Sequence, residues 1–376
     1  MGIATVRLPM TRLAGTLVLG TLVTVVGCSA TTVPLSQTSP GADAAAPMCN
    51  APSTQTTLVG ATPVSVEGLF LMGSRAFFST TEGLSSVPLS GGPSTLIVSG
   101  GSGVAIVGGT LYYVASHAVG AVDPQGKQPS APALYAMPLS GGAADGGVPD
   151  GGASTLVQDN FSEETAVVDG TSLYVAGAGL GVLKITPPST SPTTLTFDGA
   201  FSIRALAVDA TYLYAAVGDL AAVPNDGVIV RMPKSGGATE RLITLGGFPD
   251  GLVVDDQALY WIDEPTVGTF GSSRVVRADL EGRNDTALID ASNSSASPSE
   301  IALGPTHLYF LAGSLGRVSK LGGAIETIVP DLSAPEAGPG ALQVSGADVA
   351  WVDNYVRALS STASTSVEAI CVGGTR

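Results

Sequence analysis

The stretch Leu252-Val253-Val254-Asp255-Asp256-Gln257-Ala258-Leu259-Tyr260-Trp261 holds two short apolar runs joined by a polar turn. β-Branched and aromatic residues favour extended chain, and the acidic turn between them closes a hairpin. The same pattern begins six more times, at Leu69, Val104, Ala166, Leu206, Ile301 and Leu342. In all seven copies the second apolar cluster starts seven residues after the first, at Ala76, Leu111, Leu173, Leu213, Leu259, Leu308 and Val349. Asp169, Asp209 and Asp255 stand at the turn entry, where a carboxylate bonds its own backbone; they read as turn formers rather than ligands.

A third run follows each hairpin and ends in a punctuated turn. Val87-Pro88-Leu89-Ser90-Gly91-Gly92, Met137-Pro138-Leu139-Ser140-Gly141-Gly142 and Met232-Pro233-Lys234-Ser235-Gly236-Gly237 are the clearest. A fourth run starts at Thr95, Thr155, Thr194, Arg241, Ala287, Thr327 and Glu368. Four strands per unit, repeated around a ring, predict an all-β β-propeller. The repeats give seven four-stranded blades, with six or eight as the alternatives. Thr57-Leu58-Val59 is an extra copy of the fourth run, so either it or Glu368–Cys371 closes the last blade. Pro within the third run places that strand toward the outside, where a missing donor is tolerated.

Upstream, Arg7 and Arg12 precede an apolar run from Leu13 to Val26 that ends in Gly27 and Cys28. That order describes a secretory signal. Residues 29–50 are rich in Thr, Ser, Pro and Ala and form a tether. The expected organisation is a signal peptide over 1–27, Cys28 with its tether over 28–54, and one propeller over 55–376.

Three resemblances bear on this reading. Val25-Val26-Gly27-Cys28 resembles the bacterial lipobox, which implies diacylglycerol on the Cys28 thiol and cleavage just before it. Ser29 lacks the Asp that retains such lipoproteins on the inner membrane, which implies the outer membrane, on its periplasmic or surface face. Leu259-Tyr260-Trp261-Ile262-Asp263 resembles the YWTD repeat, and Val349-Ala350-Trp351-Val352-Asp353 is a weaker copy. The Gly-Gly turns resemble NHL-type and streptogramin-lyase-like bacterial propeller repeats.

The chain has 376 residues and a net charge of −15, with 16 Lys and Arg against 31 acids. No basic cluster is available to neutralise phosphates, so nucleic acid is not an expected partner. Besides Cys28, only Cys49 and Cys371 carry thiols, and an even pair in an exported protein suggests a disulfide. Radial repetition leaves short, protected edges, and a monomer is expected.

Little catalytic chemistry is legible. His117 and His307 fall in different units, and neither a His-x-x-His nor a Gly-x-Ser-x-Gly motif occurs. Both histidines read as solvated or locally bonded. In a propeller the loop entering the innermost strand lines one mouth of the central channel. The residues two before each repeat start are Glu67, Ser102, Glu164, Arg204, Asp250, Ser299 and Gly340, with Glu300 beside the sixth. Glu67, Glu164, Arg204, Asp250 and Glu300 are therefore the candidate binding residues. A carboxylate ring suits a divalent cation such as Ca²⁺ or a basic ligand. Two functions follow: a lipid-anchored, non-enzymatic scaffold for a protein or glycan partner, or a metal-assisted hydrolase or lyase at the acidic mouth.

Overall fold

In the computed structural model the described residues are 55–62, 66–115, 132–139, 153–161, 163–177, 181–198, 201–219, 227–264, 273–290, 297–330, 332, 342–345, 348–355 and 364–371. All of them belong to one unit, Asp43–Arg376. Their regular structure is entirely β, because each repeat alternates short apolar runs with Gly, Pro and Asp turns.

The chain enters as β1 (Gln55–Thr62) and then lays down four strands per repeat. The first sheet holds β2 (Val66–Met72), β3 (Arg75–Thr80), β4 (Gly83–Pro88) and β5 (Thr95–Ser99). The second holds β6 (Gly101–Val107), β7 (Thr110–Ala115), β8 (Ala133–Pro138) and β9 (Thr155–Gln158). The third holds β10 (Glu163–Val168), β11 (Leu173–Gly177), β12 (Gly181–Ile185) and β13 (Thr193–Leu195). The fourth holds β14 (Phe201–Val208), β15 (Tyr212–Asp219), β16 (Gly227–Pro233) and β17 (Glu240–Leu245). The fifth holds β18 (Phe248–Val254), β19 (Ala258–Glu264), β20 (Arg274–Asp279) and β21 (Thr286–Ile289). The sixth holds β22 (Glu300–Leu303), β23 (His307–Leu311), β24 (Leu315–Ser319) and β25 (Glu326–Val329). The seventh joins β26 (Leu342–Ser345), β27 (Asp348–Tyr355) and β28 (Ser364–Cys371) to β1. Every strand pair is antiparallel, as in a β-propeller.

The seventh sheet resolves the ambiguity of the extra strand. Its order is β26-β27-β28-β1, so Thr57-Leu58-Val59 lies in the outermost strand. Glu368–Cys371, expected as a fourth run, instead ends the third strand, where Ile370 faces Val349. Residues 356–363 lie outside the described residues, and among those described the segment Ser364–Cys371 takes the third place, paired along β27. Among the described residues no fifth strand is added.

Sheets pack face to face around the ring. Both faces of each middle strand are buried, so alternate residues feed different seams. In β15, Leu213, Ala215 and Val217 pack toward the third sheet, while Tyr214 and Ala216 pack toward the fifth. The seam between seventh and first sheets is built from Leu58, Val66, Leu69, Ala76, Phe78, Val87, Ala350 and Val352. Trp261 and Trp351, the aromatic centres of the two YWTD-like segments, are both buried in seams.

The turns behave as their residues dictate. Asp209 Oδ1 accepts the amides of Thr211 and Tyr212, and Asp169 and Asp255 accept their equivalents. These three aspartates are turn formers. Gly83 opens β4 at φ 136°, where a Cβ would strike the Val98 carbonyl.

Candidate functional site

The seven repeat starts, Leu69, Val104, Ala166, Leu206, Leu252, Ile301 and Leu342, all line one central cavity of about 1100 Å³. They lie on the innermost strand of each sheet, so a hydrophobic wall surrounds the channel.

Polar residues enter at one end because the innermost strands are irregular there. The pairing of β2 skips Glu67, that of β10 skips Glu164, and that of β14 skips Arg204. In β18 the break follows Asp250. A bulge leaves its residue unpaired and re-aims it. The predicted mouth positions of Glu67, Glu164 and Arg204 are therefore equivalent bulges. In β6 the bulge falls two residues on, at Val104, while Ser102 pairs with Val114. The side chains of Glu67 and Glu164 lie outside the described residues, as do Gly340, Cys28, Cys49 and His117.

Arg204 reaches Asp250 at 3.2 Å and Glu264 at 3.7 Å. All three side chains are about 40% exposed, so the pairing contributes about 0–1 kcal/mol and is readily exchanged. Asp250 Oδ1 also accepts the Gly251 amide. Glu264 ends β19 and was not anticipated. Its carboxyl is raised by burial and by the Asp250 charge, against the pull of Arg204. The signal for it is the Asp263-Glu264 pair at the end of β19, one strand away from the positions considered.

Glu300 begins β22, partly buried, and opens onto the channel. Burial, and then the Asp250 charge, push its carboxyl up to about 8. At neutral pH it is therefore mostly protonated and able to donate a hydrogen bond. Ser299 beside it donates both its amide and its hydroxyl to the Leu311 carbonyl. Ser102, Arg204, Asp250, Ser299 and Glu300 thus share the lining of one cavity. Of the expected ring of acids with one arginine, the described side chains are the Arg204–Asp250 ion pair and, beside it, the neutral Glu300. Among the described residues no group of three His, Cys, Asp or Glu is placed to hold a metal ion.

His307 is locally bonded through Nδ1 to Thr306 Oγ1 at 2.9 Å. Asp263, the acid of the YWTD-like segment, pairs with Arg274 at 2.7 Å, a contact between neighbouring strands of its own sheet.

No protein-family model matches the sequence. No curated protein matches it either. Solved structures do, at the level of fold. The β-propeller domain of the Trilobed protease from Pyrococcus furiosus, described as having an open velcro topology, is 10% identical with a TM-score of 0.53. That match covers 77% of this chain and 91% of the other. The AfRom2 CNH domain is 8% identical with a TM-score of 0.54, over 84% of this chain and 98% of the other. The oligogalacturonate lyase of Vibrio parahaemolyticus is 10% identical with a TM-score of 0.50, over 80% of each. The chain is a β-propeller; at these identities the likeness extends to the fold alone.

Proposed function

We propose that the protein is a lipid-anchored propeller of the bacterial cell envelope, a monomeric, non-enzymatic scaffold that binds a protein or glycan partner at one mouth of its channel. The lipobox-like Val25–Cys28 segment and the tether supply the anchor, and seven sheets in a ring supply the rigid platform. The observation that carries the reading is the exchangeable Arg204–Asp250 pair beside the protonated Glu300, above an apolar channel. Such a mouth offers a cation, an anion and a neutral donor, which suit the hydroxyls of a glycan or a polar peptide segment. The test is a glycan array and an envelope-extract pull-down, each run with the parent and with Arg204→Met and Asp250→Asn. Specific capture that both variants lose supports the reading. A blank array with no specific partner overturns it.

A second reading, a metal-assisted hydrolase or lyase, is favoured by the positions of Glu67, Glu164, Asp250 and Glu300 near the starts of four innermost strands. It requires a divalent ion, Ca²⁺ or another, in the purified protein, lost when Glu67, Glu164 and Asp250 are changed to Ala. A metal-free parent removes it.

A further inference from the structure

A second cavity, of about 370 Å³, lies away from the channel, between the outer strands of the third sheet and the turn that ends β16. Its lining includes Lys184, Thr186, Ser191, Thr193, Lys234 and Ser235, and no carboxylate. The chain has four lysines in all, at 127, 184, 234 and 320, so half of them meet in this one place on a protein of net charge −15.

The repeat explains why the cavity is cationic. Strand register places Lys184, Arg231, Arg277 and Arg317 at one equivalent position, each opposite a tyrosine of the second strand. In the fourth and sixth sheets the residue across on the outermost strand is an acid. Glu240 faces Arg231 and Glu326 faces Arg317, with ion pairs of 2.8 and 2.7 Å. In the third sheet Thr193 faces Lys184 instead. Arg277 faces Thr286 in the same way, but its guanidinium engages the Tyr260 hydroxyl. Lys184 therefore keeps the cation of the repeat without its cross-strand acid, and it borders a cavity.

Its ammonium donates to the Lys234 carbonyl at 2.9 Å and lies 5.6 Å from the Tyr174 ring centroid. Lys234 forms an ion pair with Asp169 at 2.9 Å, which leaves Lys184 as the uncompensated charge of the pair. Each ammonium carries three N–H donors, so both retain donors for a ligand. Among the described residues Lys184 has no ion pair, and the Ser191 and Thr193 hydroxyls have no hydrogen-bond partner. Unused ammonium and hydroxyl donors thus border a space at the small end of the ligand-pocket range, about 300–1,000 Å³.

We infer that this cavity binds an oxyanion, a phosphate group carried by a small ligand or a lipid headgroup, held by Lys184 and Lys234 and by the hydroxyls of Ser191 and Thr193. Charge-assisted hydrogen bonds to phosphate oxygens satisfy these donors better than water does in a partly enclosed site.

The full chain is titrated with inorganic phosphate, with glucose 6-phosphate, and with phosphatidylcholine vesicles carrying phosphatidic acid. Chloride of matched ionic strength and plain vesicles are the controls. Saturable binding in at least one arm is expected, and the arm that binds identifies the free ligand or the headgroup as the source. Lys184→Gln keeps a donor toward the Lys234 carbonyl but removes the charge, and should weaken binding about tenfold. Thr193→Glu supplies the acid that the fourth and sixth sheets possess. It should abolish binding while leaving the unfolding midpoint equal to or above that of the parent. Absence of binding in all three arms, or binding unchanged in folded Thr193→Glu, overturns the inference.

Discussion

The Tyr214 hydroxyl donates to Asp209 Oδ2 at 2.8 Å, tying the second strand of a sheet to the turn that precedes it. Tyr174 with Asp169 and Tyr260 with Asp255 repeat the bond at 3.1 and 3.3 Å. Two of these aspartates also reach the next sheet, Asp169 to Lys234 at 2.9 Å and Asp255 to Lys320 at 3.0 Å. One carboxylate thus closes a turn, anchors a buried phenol and, at two of the three turns, links neighbouring sheets.

Tyr214→Phe keeps the ring in its seam but leaves Asp209 Oδ2 without its phenol. The expected cost is about 1–2 kcal/mol, read as a lower urea midpoint at unchanged slope. Asp209→Ala should cost more, because the Thr211 and Tyr212 amides lose their acceptor as well.

Acid should weaken the protein through Asp169. Burial acts to raise its carboxyl, but Lys234 and the amides of Thr171 and Ser172 outweigh burial and hold it well below the usual range. A folded-state value below the unfolded one gives stability that is complete above about pH 4 and is lost as pH falls further. Urea midpoints measured from pH 6 to pH 2 should decline at the acid end, and Asp169→Asn should flatten that decline.

Glu300 has the opposite sign. Its carboxyl is raised to about 8, so ionising it costs the folded state. Stability should fall as pH climbs from about 4.3 toward that value and level off above it. Glu300→Gln should flatten the slope, leaving the smaller part due to Glu264, and raise the thermal midpoint at pH 8. A parent whose midpoint is flat across this window contradicts the assignment.

Leu58 of β1 is 5% exposed in the seam between seventh and first sheets. Leu58→Ala should cost about 2–4 kcal/mol. Removing residues 1–62 should open the ring, seen as early proteolysis between the first and seventh sheets.

The Cys49–Cys371 disulfide is a further expectation. Gln55 pairs with Ile370, so Cys371 lies beside the start of β1, and Cys49 is six residues upstream, at most about 20 Å of extended chain. Cys49→Ser and Cys371→Ser should each lower stability by about 2–5 kcal/mol, with the double variant no worse than either. Two free thiols besides Cys28 in the exported protein, counted under denaturing, non-reducing conditions, contradict it.

The repeat was legible because its apolar spacing follows directly from burial of both faces of the inner strands. The place of β28 was not, since an apolar run such as Glu368–Cys371 looks alike in third and fourth positions. Arg204 and Asp250 were found by offset from the repeat starts, and the bulges explain why that offset works. Glu264 escaped because it approaches from the far end of a neighbouring strand. Lys184 escaped because its meaning lies in an absent acid, visible only once the cross-strand register is known.

The bond between β1 and β28 also orders events in time. A chain synthesised from its N-terminus delivers residue 55 long before residue 370, yet these two are partners. β1 must wait, unpaired along its whole length, while six sheets assemble behind it. Such distant pairing makes ring closure the late and slow step of folding. Until it happens, the open edge is exposed to any chaperone or stray strand nearby.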